Sequence, residues 1–549
     1  MRASRGASAG CFRIGDPGRC PGLLCFTPLG LEPRFPLRHF YGSSRQRGRP
    51  GTSAEIQTGQ IEDFWSDLAT LNDMALIGRT REIKELDRLL ASKEAEFLAL
   101  YGRRRVGKTF LIREHFKKQL CFELTGIKDG SLKEQLANFY GQLSERSGKT
   151  HSLPTTWQEA FQQLADHLGS LRGSGKRVVF LDELPWLAGP RSGFLPALDH
   201  FWNAFASRDP RLVLVICGSA ASWMIAKVID HKGGLHNRVT ARMKLEPFTL
   251  AESSRFLESR GVKLTRYDQI MLAMVMGGVP HYLKEARPGE SAAQIIDRAC
   301  FSPSGLLRGE FERLYASLFE HPERHVELVR ELAKHPLGVT RSALTRVYST
   351  GGRLTQTLRE LEEAGFIRCQ SAFEKKSKDT IYRLADEFSL FHLKWLERGG
   401  SAGAGSFLSK SNTPAWRAWS GYALEALALK HPGQIKAALG IASVDTSECG
   451  WVHRPNETWP DGAQVDLVID RADHTIHLVE IKFSQGVFTI TKDYATELRR
   501  KVAVFKGVTA TRKNVFLTFL TTHGIAPNAY AKELVPVELT TDCLFEEVS

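Results

Sequence analysis

The feature that most constrains the fold is the stretch ALYGRRRVGKT at 99–109. From Gly102 onward it fits the pattern Gly-x-x-x-x-Gly-Lys-Thr, in which backbone N–H groups surround a phosphate chain. An apolar run at 96–101 precedes it and a helix-like segment at 110–116 follows it. A strand, a glycine loop and a helix N-terminus together direct N–H groups at a polyphosphate. We therefore predict a nucleotide site made by Gly102, Arg103, Arg104, Arg105, Val106, Gly107, Lys108 and Thr109.

Within this loop, each polar side chain has an expected role. Lys108 would contact the β- and γ-phosphates, and the Thr109 hydroxyl would bind Mg²⁺. A second motif, KRVVFLDE at 176–183, places two acids at the end of an apolar run. Asp182 would hold Mg²⁺ through water, and Glu183 would orient or deprotonate the attacking water. The two motifs together predict ATP binding and hydrolysis.

Alternation of apolar runs and helical patterns predicts the class of fold. Strands are expected at 97–101, 178–182 and 212–217, and a helix at 80–91 carries apolar residues at helical spacing. Strands alternating with helices indicate a parallel sheet covered by helices on both faces. Further along, Arg238 is either an arginine finger that stabilises transition-state charge or a surface ion-pair residue.

Several short motifs resemble those of the archaeal-type prokaryotic ATPases, AAA-like relatives of the signal-transducing and origin-recognition P-loop ATPases. They are Gly78-Arg79, YGRRRVGKT at 101–109, LDE at 181–183, CGS at 217–219 and GGVP at 277–280. The resemblance spans roughly 75–400. It implies that Ser219 senses the γ-phosphate and that Gly278 and Pro280 contact the adenine. A serine that only satisfies the end of its strand remains the alternative for Ser219.

The middle of the chain predicts a winged helix. Helices are expected at 322–334, 340–347 and 353–364, followed by two strands beginning at 365 and 380. The basic stretch KKSK at 375–378 between these strands would be the wing. In such modules the third helix can enter the major groove, so Arg353, Gln356 and Arg359 would face DNA. The alternative is that this module packs against the ATPase core.

Near the C-terminus, two apolar runs at 464–470 and 476–483 carry charges between their aliphatic residues. A turn around Ala472 and Asp473 predicts an antiparallel hairpin that brings Asp466 beside Val479 or Glu480. Glu480 and Lys482 share one face because strand side chains alternate. Half-buried carboxylates are costly without a partner, and a metal ion can compensate them. Asp466 and Glu480 could then hold Mg²⁺, with the lysine stabilising charge on a phosphate.

This pattern resembles the Asp…Glu-x-Lys signature of the restriction-endonuclease-like nuclease fold, PD-(D/E)xK. Asp466, Glu480 and Lys482 match the signature, and Glu425 on the helical stretch 419–427 is the candidate acid of the preceding helix. Val465 stands where the signature has proline. The resemblance implies a Mg²⁺-dependent DNA endonuclease; a degenerate domain that only binds remains open. On the next helix, Lys492, Tyr494 and Lys501 either line a nucleic-acid path or form a solvated face.

The whole chain is therefore expected to be a multidomain α/β protein. It would contain a P-loop NTPase parallel sheet with a helical lid (75–300), a winged-helix middle module (301–400), a linker (401–413) and a small restriction-endonuclease-like C-terminal module (414–549). Residues 1–74 are expected to be a disordered or non-native leader, with a targeting peptide as the alternative. Residues 1–52 hold nine arginines and two acids, so they supply +7 (9 − 2) of the net charge of +13. The remaining +6 is only mildly basic.

The nine cysteines are scattered without a CxxC pair, which favours a reducing compartment, the cytoplasm, over disulfides or zinc. No apolar run is long enough to span a membrane. The expected cofactors are ATP and Mg²⁺, and the expected partners are DNA and, in a self-assembling form, further copies of the chain. The leading hypothesis is an ATP-controlled nuclease. The alternatives are a regulatory ATPase whose last module only binds DNA or protein, and a self-assembling remodeller.

Overall fold

The computed structural model describes residues 76–230, 234–347, 351–370, 373, 380–397, 403 and 405–548. All of them belong to one unit, Met74–Ser549. The expectations for the leader, up to residue 75, and for the basic wing at 375–378 lie outside the described residues.

The first domain is built on a five-stranded parallel sheet with the strand order β2-β3-β4-β1-β5. Its strands are β1 (Glu96–Tyr101), β2 (Leu120–Thr125), β3 (Arg177–Asp182), β4 (Leu212–Gly218) and β5 (Ala241–Lys244). The central strands are continuous apolar runs because both of their faces are buried. The prediction of a parallel sheet is confirmed. The carboxyl ends of β1, β3 and β4 meet at one edge, where ligands of such sheets bind.

Helices cover both faces of this sheet. They are α1 (Thr80–Ala91), α2 (Lys108–His115), α3 (Leu132–Ser147), α4 (Trp157–Ser170), α5 (Leu184–Leu187), α6 (Phe194–Ala204) and α7 (Ala221–Met224). Alternating side chains of β1 divide between two cores: Phe97 and Ala99 pack on one face, and Leu98 and Leu100 on the other. The sheet is therefore a buried middle layer, as expected from its sequence.

The lid and the middle module continue from the sheet. Their helices are α8 (Leu250–Ser259), α9 (Arg266–Met276), α10 (Pro280–Leu283), α11 (Ala292–Ile296), α12 (Glu310–Leu318), α13 (Pro322–Ala333), α14 (Arg341–Val347), α15 (Gly351–Glu363) and α16 (Glu387–Phe391). A three-stranded antiparallel sheet, in the order β6-β8-β7, contains β6 (Val339–Thr340), β7 (Ile367–Gln370) and β8 (Ile381–Leu384). Three helices and a hairpin thus follow one another in the expected order. Helix α15 packs against α7 of the first domain.

The stretch expected to be a small-residue linker differs from that expectation in its second half. Helix α17 (Ser406–Lys410) forms there, and Phe407 is fully buried. Its ring stacks on Phe301 at 5.5 Å between centroids. The Asp297 carboxylate accepts hydrogen bonds from the N–H groups of Gly405 (2.6 Å) and Phe407 (2.8 Å). A single large apolar side chain therefore fixes a segment whose composition is otherwise typical of a linker.

The C-terminal module is a five-stranded mixed sheet with the order β13-β12-β11-β10-β9. Its strands are β9 (Thr446–His453), β10 (Ala463–Arg471), β11 (Thr475–Lys482), β12 (Asn514–Thr521) and β13 (Val537–Thr540); its helices are α18 (Pro414–Ala428), α19 (Pro432–Ala438), α20 (Lys492–Thr509) and α21 (Ala529–Leu534). Strands β9, β10 and β11 are antiparallel, as the hairpin prediction requires. Helix α18 packs against both β11 and the lid helix α9, so one hydrophobic core runs through lid, middle module and C-terminal module.

Among the helices of the described residues, none combines the length and the apolar character needed to cross a bilayer. The cysteines of the described part are free thiols.

Candidate nucleotide site and carboxylate cleft

The phosphate loop connects β1 to α2 and depends on glycine where another chain segment comes close. Gly102 has a φ of +142°, and a Cβ placed on it would lie 2.3 Å from the carbonyl oxygen of Leu245, directly after β5. Gly107 has a φ of +95° and is the N-cap of α2. Glycine is therefore required at Gly102 by both backbone conformation and space. The loop ends with α2 directing its free N–H groups towards the site.

The lysine and threonine of the loop each have a defined partner. Lys108 is buried, and its Nζ donates to the carbonyl oxygens of Gly102 and Arg103, at 2.9 Å in each case. The Thr109 hydroxyl donates to Asp182 Oδ2 at 2.6 Å. This bond joins the phosphate loop directly to the end of β3. The two motifs identified in the sequence thus form one site.

Glu183 and Ser219 form a second polar pair at the same sheet edge. Glu183 adopts the left-handed conformation (φ 49°), which directs its side chain towards β4. Its carboxylate accepts hydrogen bonds from the Ser219 hydroxyl (2.7 Å) and from the Ser219 backbone N–H (3.2 Å). Ser219 therefore orients Glu183, a contact that neither interpretation of the sequence included.

These residues face a cavity of about 380 Å³, here called the nucleotide cavity. Besides loop residues from Arg104 to Thr109, Glu183 and Ser219, it is lined by Leu76, Ile77, Arg79, Phe110, Leu111, Phe248, Phe256, Pro280, His281 and Lys284. The apolar members come from the segment before α1, from α2, from the segment after β5 and from the lid. Apart from Pro280, sequence reasoning missed them because apolar residues at such positions carry no motif.

Gly278 and Pro280 were expected to contact the adenine together, and the structure separates their positions. Pro280 lines the nucleotide cavity. Gly278 instead lies under Phe248: its carbonyl accepts from the Phe248 N–H at 2.8 Å, and a Cβ on it would lie 2.2 Å from the Phe248 carbonyl oxygen. Gly278 therefore positions the ring of Phe248, which itself lines the cavity.

Arg79 fixes the same wall from the other side. Its guanidinium donates to the carbonyl oxygens of Glu246 (2.7 Å) and Val106 (3.0 Å) and lies 4.5 Å from the centroid of the Phe248 ring. Burial lowers the pKa of Arg79, and the charge of Glu252 acts in the opposite direction. Arg79 thus ties the phosphate loop to the apolar wall.

The consecutive arginines of the loop point in different directions. Arg104 and Arg105 line the nucleotide cavity, and Arg105 also pairs with buried Glu310 of α12 at 3.0 Å. Arg103 faces away from the cavity and pairs with buried Asp386. Burial acts to lower the pKa of Arg103, but the charge of Asp386 raises it well above its usual range. Two of these arginines therefore connect the phosphate loop to the middle module.

Arg238 does not line the nucleotide cavity. Its side chain is 44% exposed and lies 3.8 Å from the carboxylate of Asp199. Within this chain it is a surface ion-pair residue, the second of the two alternatives. Completion of a neighbouring copy's site by Arg238 stays a prediction.

The second site is a cleft of about 400 Å³ in the C-terminal module, here called the carboxylate cleft, lined by Glu425, Asp466, Glu480 and Lys482 together with residues of α18 and α20. Leu467 pairs with Val479 across the hairpin, so Asp466 and Glu480 are the next pair along. Asp466 Oδ2 accepts from the N–H of Ile481 at 2.9 Å. Glu425 reaches the same cleft from α18. The structure thus brings together all the residues predicted for this site.

Glu480 is fully buried and fully paired. Its Oε1 accepts from Lys501 at 2.5 Å, and its Oε2 accepts from Lys482 at 3.3 Å and from the Tyr494 hydroxyl at 3.1 Å. Burial acts to raise the pKa of Glu480, but the two lysines hold it below its usual value. Tyr494 and Lys501 therefore belong to the cleft, whereas Lys492 on the same helix is exposed.

The positive charges near the other two acids do not outweigh burial: Arg383 and Lys482 act on Glu425, and Lys482 and Lys501 act on Asp466. Burial, followed by the charge of Asp466, raises the pKa of Glu425 to about 8. Burial, followed by the charge of Glu480, raises the pKa of Asp466 to about 6. Strongly raised carboxyl pKa values in a cleft are typical of functional sites and show that added positive charge would be favourable there.

Carboxylate oxygens are the ligand type that Mg²⁺ prefers, so the side chains of the cleft fit that ion in kind. In the arrangement seen here, no group of three His, Cys, Asp or Glu side chains within the described ranges is placed to hold a metal ion. At Glu480 the reason is that both carboxylate oxygens already accept hydrogen bonds, from Lys482, Tyr494 and Lys501.

The domain that contains the nucleotide site matches a known family model. Residues 76–286 match the family model described as an ATPase domain predominantly from Archaea. The chain is also 23% identical over 431 residues to an uncharacterised protein of Methanocaldococcus jannaschii. The match covers 77% of this chain and 91% of that protein. The family match confirms the expected archaeal-type ATPase domain, a nucleotide-binding P-loop domain.

Solved structures of similar proteins include a Walker-type ATPase of Pyrococcus abyssi, with a TM-score of 0.42 and 18% identity over 58% of this chain and 96% of that one. The ORC2 protein of Aeropyrum pernix gives a TM-score of 0.37 and 16% identity over 58% of this chain and 95% of that one.

Proposed function

We propose that this protein hydrolyses ATP at the phosphate loop and uses its C-terminal module as a Mg²⁺-dependent nuclease on DNA. The observation that carries the nuclease half is the convergence of Glu425, Asp466, Glu480 and Lys482 in one cleft. These residues come from a helix and two strands, and a bound divalent cation would offset the cost of burying three acids side by side.

At the nucleotide site, the residues divide the work between binding and water activation. Lys108 would exchange its two carbonyl partners for phosphate oxygens, and Arg104 and Arg105 would add charge beside the phosphate chain. Glu183, held by Ser219, would orient the attacking water and take its proton. A Mg²⁺ ion bound near Thr109 and Asp182 would neutralise charge on the β- and γ-phosphates.

In the carboxylate cleft, Glu425 and Asp466 have raised pKa values, so added positive charge is most favourable there and these acids would hold Mg²⁺. Glu480 would join them if Lys501 moves away. Mg²⁺ bound there would polarise a phosphodiester oxygen and acidify a water. Lys482 would stabilise the negative charge that develops on the phosphate. Lys501 and Tyr494 would keep Glu480 in place.

DNA contact by the middle module and assembly into oligomers belong to the same proposal. Arg353, Gln356 and Arg359 lie on the exposed side of α15, the position expected for a helix that reads a groove. The contact of α15 with α7 supports the alternative that the module also packs on the ATPase domain. Arg238, at the surface, is free of the nucleotide cavity of its own chain and available to that of a neighbouring copy.

A second candidate function is an ATP-dependent regulator whose C-terminal module binds DNA without cutting it. The saturation of Glu480 by Lys482, Lys501 and Tyr494 favours this candidate, because a paired acid is not available to a metal. The two candidates differ only in whether the cleft is chemically active.

The deciding experiment incubates the purified protein with linear and circular DNA, Mg²⁺ and ATP, beside Lys482→Ala and the control Lys492→Ala. The nuclease proposal predicts cleavage by the wild type and by Lys492→Ala, with loss of about 10²-fold or more in Lys482→Ala. Binding without cleavage by all three proteins would instead support the regulator. Equal cleavage by wild type and Lys482→Ala would remove the assignment of the cleft.

A further inference from the structure

One short segment of the middle module, residues 383–387, contacts both the phosphate loop and the C-terminal module. It runs from the end of β8 to the start of α16. Leu384 and Ala385 within it are buried, and the N–H groups of Ala385 (2.8 Å) and Asp386 (3.1 Å) both donate to the carbonyl oxygen of Phe366. The segment is therefore held firmly by its own module, so a displacement at one end would be passed to the other. We call it the connector.

At the nucleotide end, the connector is joined to the phosphate loop by a buried ion pair. Asp386 accepts from Arg103, and its other oxygen accepts from the Ser389 N–H (2.8 Å) and hydroxyl (2.6 Å). Arg103 and Asp386 are 6% and 1% exposed. Nε and Nη2 of Arg103 have no hydrogen-bond partner within the described residues. Separating this pair would leave two buried charges uncompensated, so the two residues must move together.

The same arginine is linked to the residue that contacts phosphate. Lys108 donates to the carbonyl oxygen of Arg103 itself. When Lys108 turns to a polyphosphate, that carbonyl loses its partner and the backbone of the loop must find another arrangement. Arg105, whose side chain lines the nucleotide cavity and pairs with Glu310 of the middle module, responds to the same phosphates.

At the other end, Arg383 of the connector lines a groove that adjoins the carboxylate cleft and shares Ala418 and Tyr422 with it. A Cβ on Gly450 of β9 would lie 3.5 Å from Arg383 Nη2 and 3.6 Å from the backbone oxygen of Asp466. The same groove is lined by Ala423 and Ala426, which with Tyr422 are the neighbours of Glu425 on α18. Burial lowers the pKa of Arg383, while the charges of Glu425 and Asp466 act to raise it. The charge of Arg383 thus acts on Glu425 and Asp466 from the neighbouring groove, while its Nη2 donates to the carbonyl oxygen of Leu337 at 3.3 Å.

A second contact fixes the connector to the C-terminal module. Glu387, which is 2% exposed, pairs with Lys430 just after α18 at 2.7 Å. The connector is thus attached to the helix that carries Glu425 as well as to the strand neighbourhood of Asp466.

We propose that the connector transmits nucleotide occupancy of the phosphate loop to the carboxylate cleft, with Arg383 acting as a positioning residue for Glu425 and Asp466. This inference deepens the proposed function, because it supplies the regulation of the cleft on which that function rests. Release of Lys108 from the Arg103 carbonyl shifts Arg103, Asp386 follows it, and Arg383 changes its position against the two acids. The surroundings of Glu425 and Asp466 in the cleft then differ between the nucleotide-bound and nucleotide-free states.

Hydrogen–deuterium exchange of the full-length protein tests this link without relying on DNA cleavage. Exchange is measured over 414–428 and 463–482, with and without a slowly hydrolysed ATP analogue, at the same Mg²⁺ concentration. The proteins are wild type, Asp386→Asn, Arg383→Met and, as a control, Arg330→Met, which removes a surface ion pair with Glu397 of the same module. Analogue binding is measured separately for each.

In the wild type and in Arg330→Met, the analogue is expected to change exchange in these segments by about fivefold or more, the lower end of typical coupling. In Arg383→Met the change should disappear from 463–482 while the analogue still binds. Asp386→Asn should behave in the same way; if its buried substitution prevents folding, Arg383→Met decides alone. An unchanged wild-type profile, or a full response in folded Arg383→Met, overturns the proposal. A nuclease that cuts DNA equally with and without nucleotide would leave the proposed function standing and remove only the connector.

Discussion

The nucleotide site and the carboxylate cleft hold similar residue types in opposite electrostatic states. At the nucleotide site, Lys108 is bonded to carbonyl oxygens only, and Glu183 accepts from the neutral donors of Ser219. In the cleft, two lysines already neutralise Glu480, whereas burial and the charges of neighbouring carboxylates raise the pKa values of Glu425 and Asp466. The first site has positive charge ready for an anion. The second has carboxyl groups whose charged form a cation would stabilise.

The largest effect on activity is expected from substitution of Lys108, the buried cation of the nucleotide site. Lys108→Ala should lower ATP turnover by about 10²–10³-fold, because the phosphates lose their buried charge partner. Release of phosphate measures this. Lys117→Ala, which removes an exposed lysine just after the same helix, is the control and should retain turnover. Turnover of Lys108→Ala within a few-fold of wild type would mean that the nucleotide site is wrongly assigned.

A substitution that only adds a methyl group should disturb the nucleotide site without altering its charged residues. Gly278→Ala places a Cβ 2.2 Å from the Phe248 carbonyl at a φ of +67°. It should cost about 3 kcal/mol of unfolding free energy and weaken nucleotide binding through Phe248. Gly289 has a similar φ of +83° but no atom within 4 Å of such a Cβ.

Gly289→Ala should therefore cost only about 1 kcal/mol, the penalty for the backbone alone. Urea unfolding of both variants separates the two contributions. Equal losses would show that the close approach at Gly278 does not matter.

On the cleft side, Lys501→Met removes one of the charges that neutralise Glu480. The unfolding free energy should fall by about 2 kcal/mol, since a buried carboxylate loses a partner. Adding Mg²⁺ should then stabilise this variant more than the wild type, because the ion binds the folded state only. Thermal unfolding with and without Mg²⁺ shows both effects, and exposed Lys492→Met on the same helix is the control. A variant indifferent to Mg²⁺ would argue against a cation site at Glu480.

The smallest effect concerns pH. The pKa of Glu425 is about 8 in the folded protein against an ordinary 4.5. Between these values the folded chain keeps a proton that the unfolded chain releases, so stability falls as pH rises. Glu425→Gln lacks this titration, and its unfolding free energy relative to wild type should rise by at least about 1 kcal/mol from pH 5 to pH 8. Glu497→Gln, an exposed acid beside the cleft, should show no such trend; the same trend in both variants would exclude the assignment.

The parts of the molecule that sequence could predict are those determined by residues close to one another along the chain. The helix expected at 80–91 is α1 (Thr80–Ala91), and the strand preceding the phosphate loop is one residue longer than expected. The bond from Thr109 to Asp182 follows from a motif and from the parallel order of strands. In the cleft, the turn around Ala472 and Asp473 placed Asp466 beside Val479 or Glu480, and the pairing of Leu467 with Val479 selects Glu480.

What sequence could not predict depends on contacts distant in the chain. The apolar wall made by Ile77 and Phe248 has no pattern of its own, and Gly278 acts through Phe248 instead of contacting the cavity. Arg103 carries the loop motif but pairs with Asp386, far along the chain. Tyr494 and Lys501 were candidates for a nucleic-acid path, and the structure shows them on Glu480. Side-chain partners of this kind are set by tertiary packing, which one sequence does not reveal.

Mn²⁺ binding in the absence of nucleotide tests most directly whether the cleft is a cation site. Mn²⁺ replaces Mg²⁺ at oxygen ligands, and bound ion is counted by electron paramagnetic resonance on wild type, Asp466→Asn and Asp182→Asn. We expect an ion that is bound by wild type and by Asp182→Asn and is lost in Asp466→Asn. Binding that disappears in Asp182→Asn but survives in Asp466→Asn, or no bound ion in any of the three proteins, would contradict it.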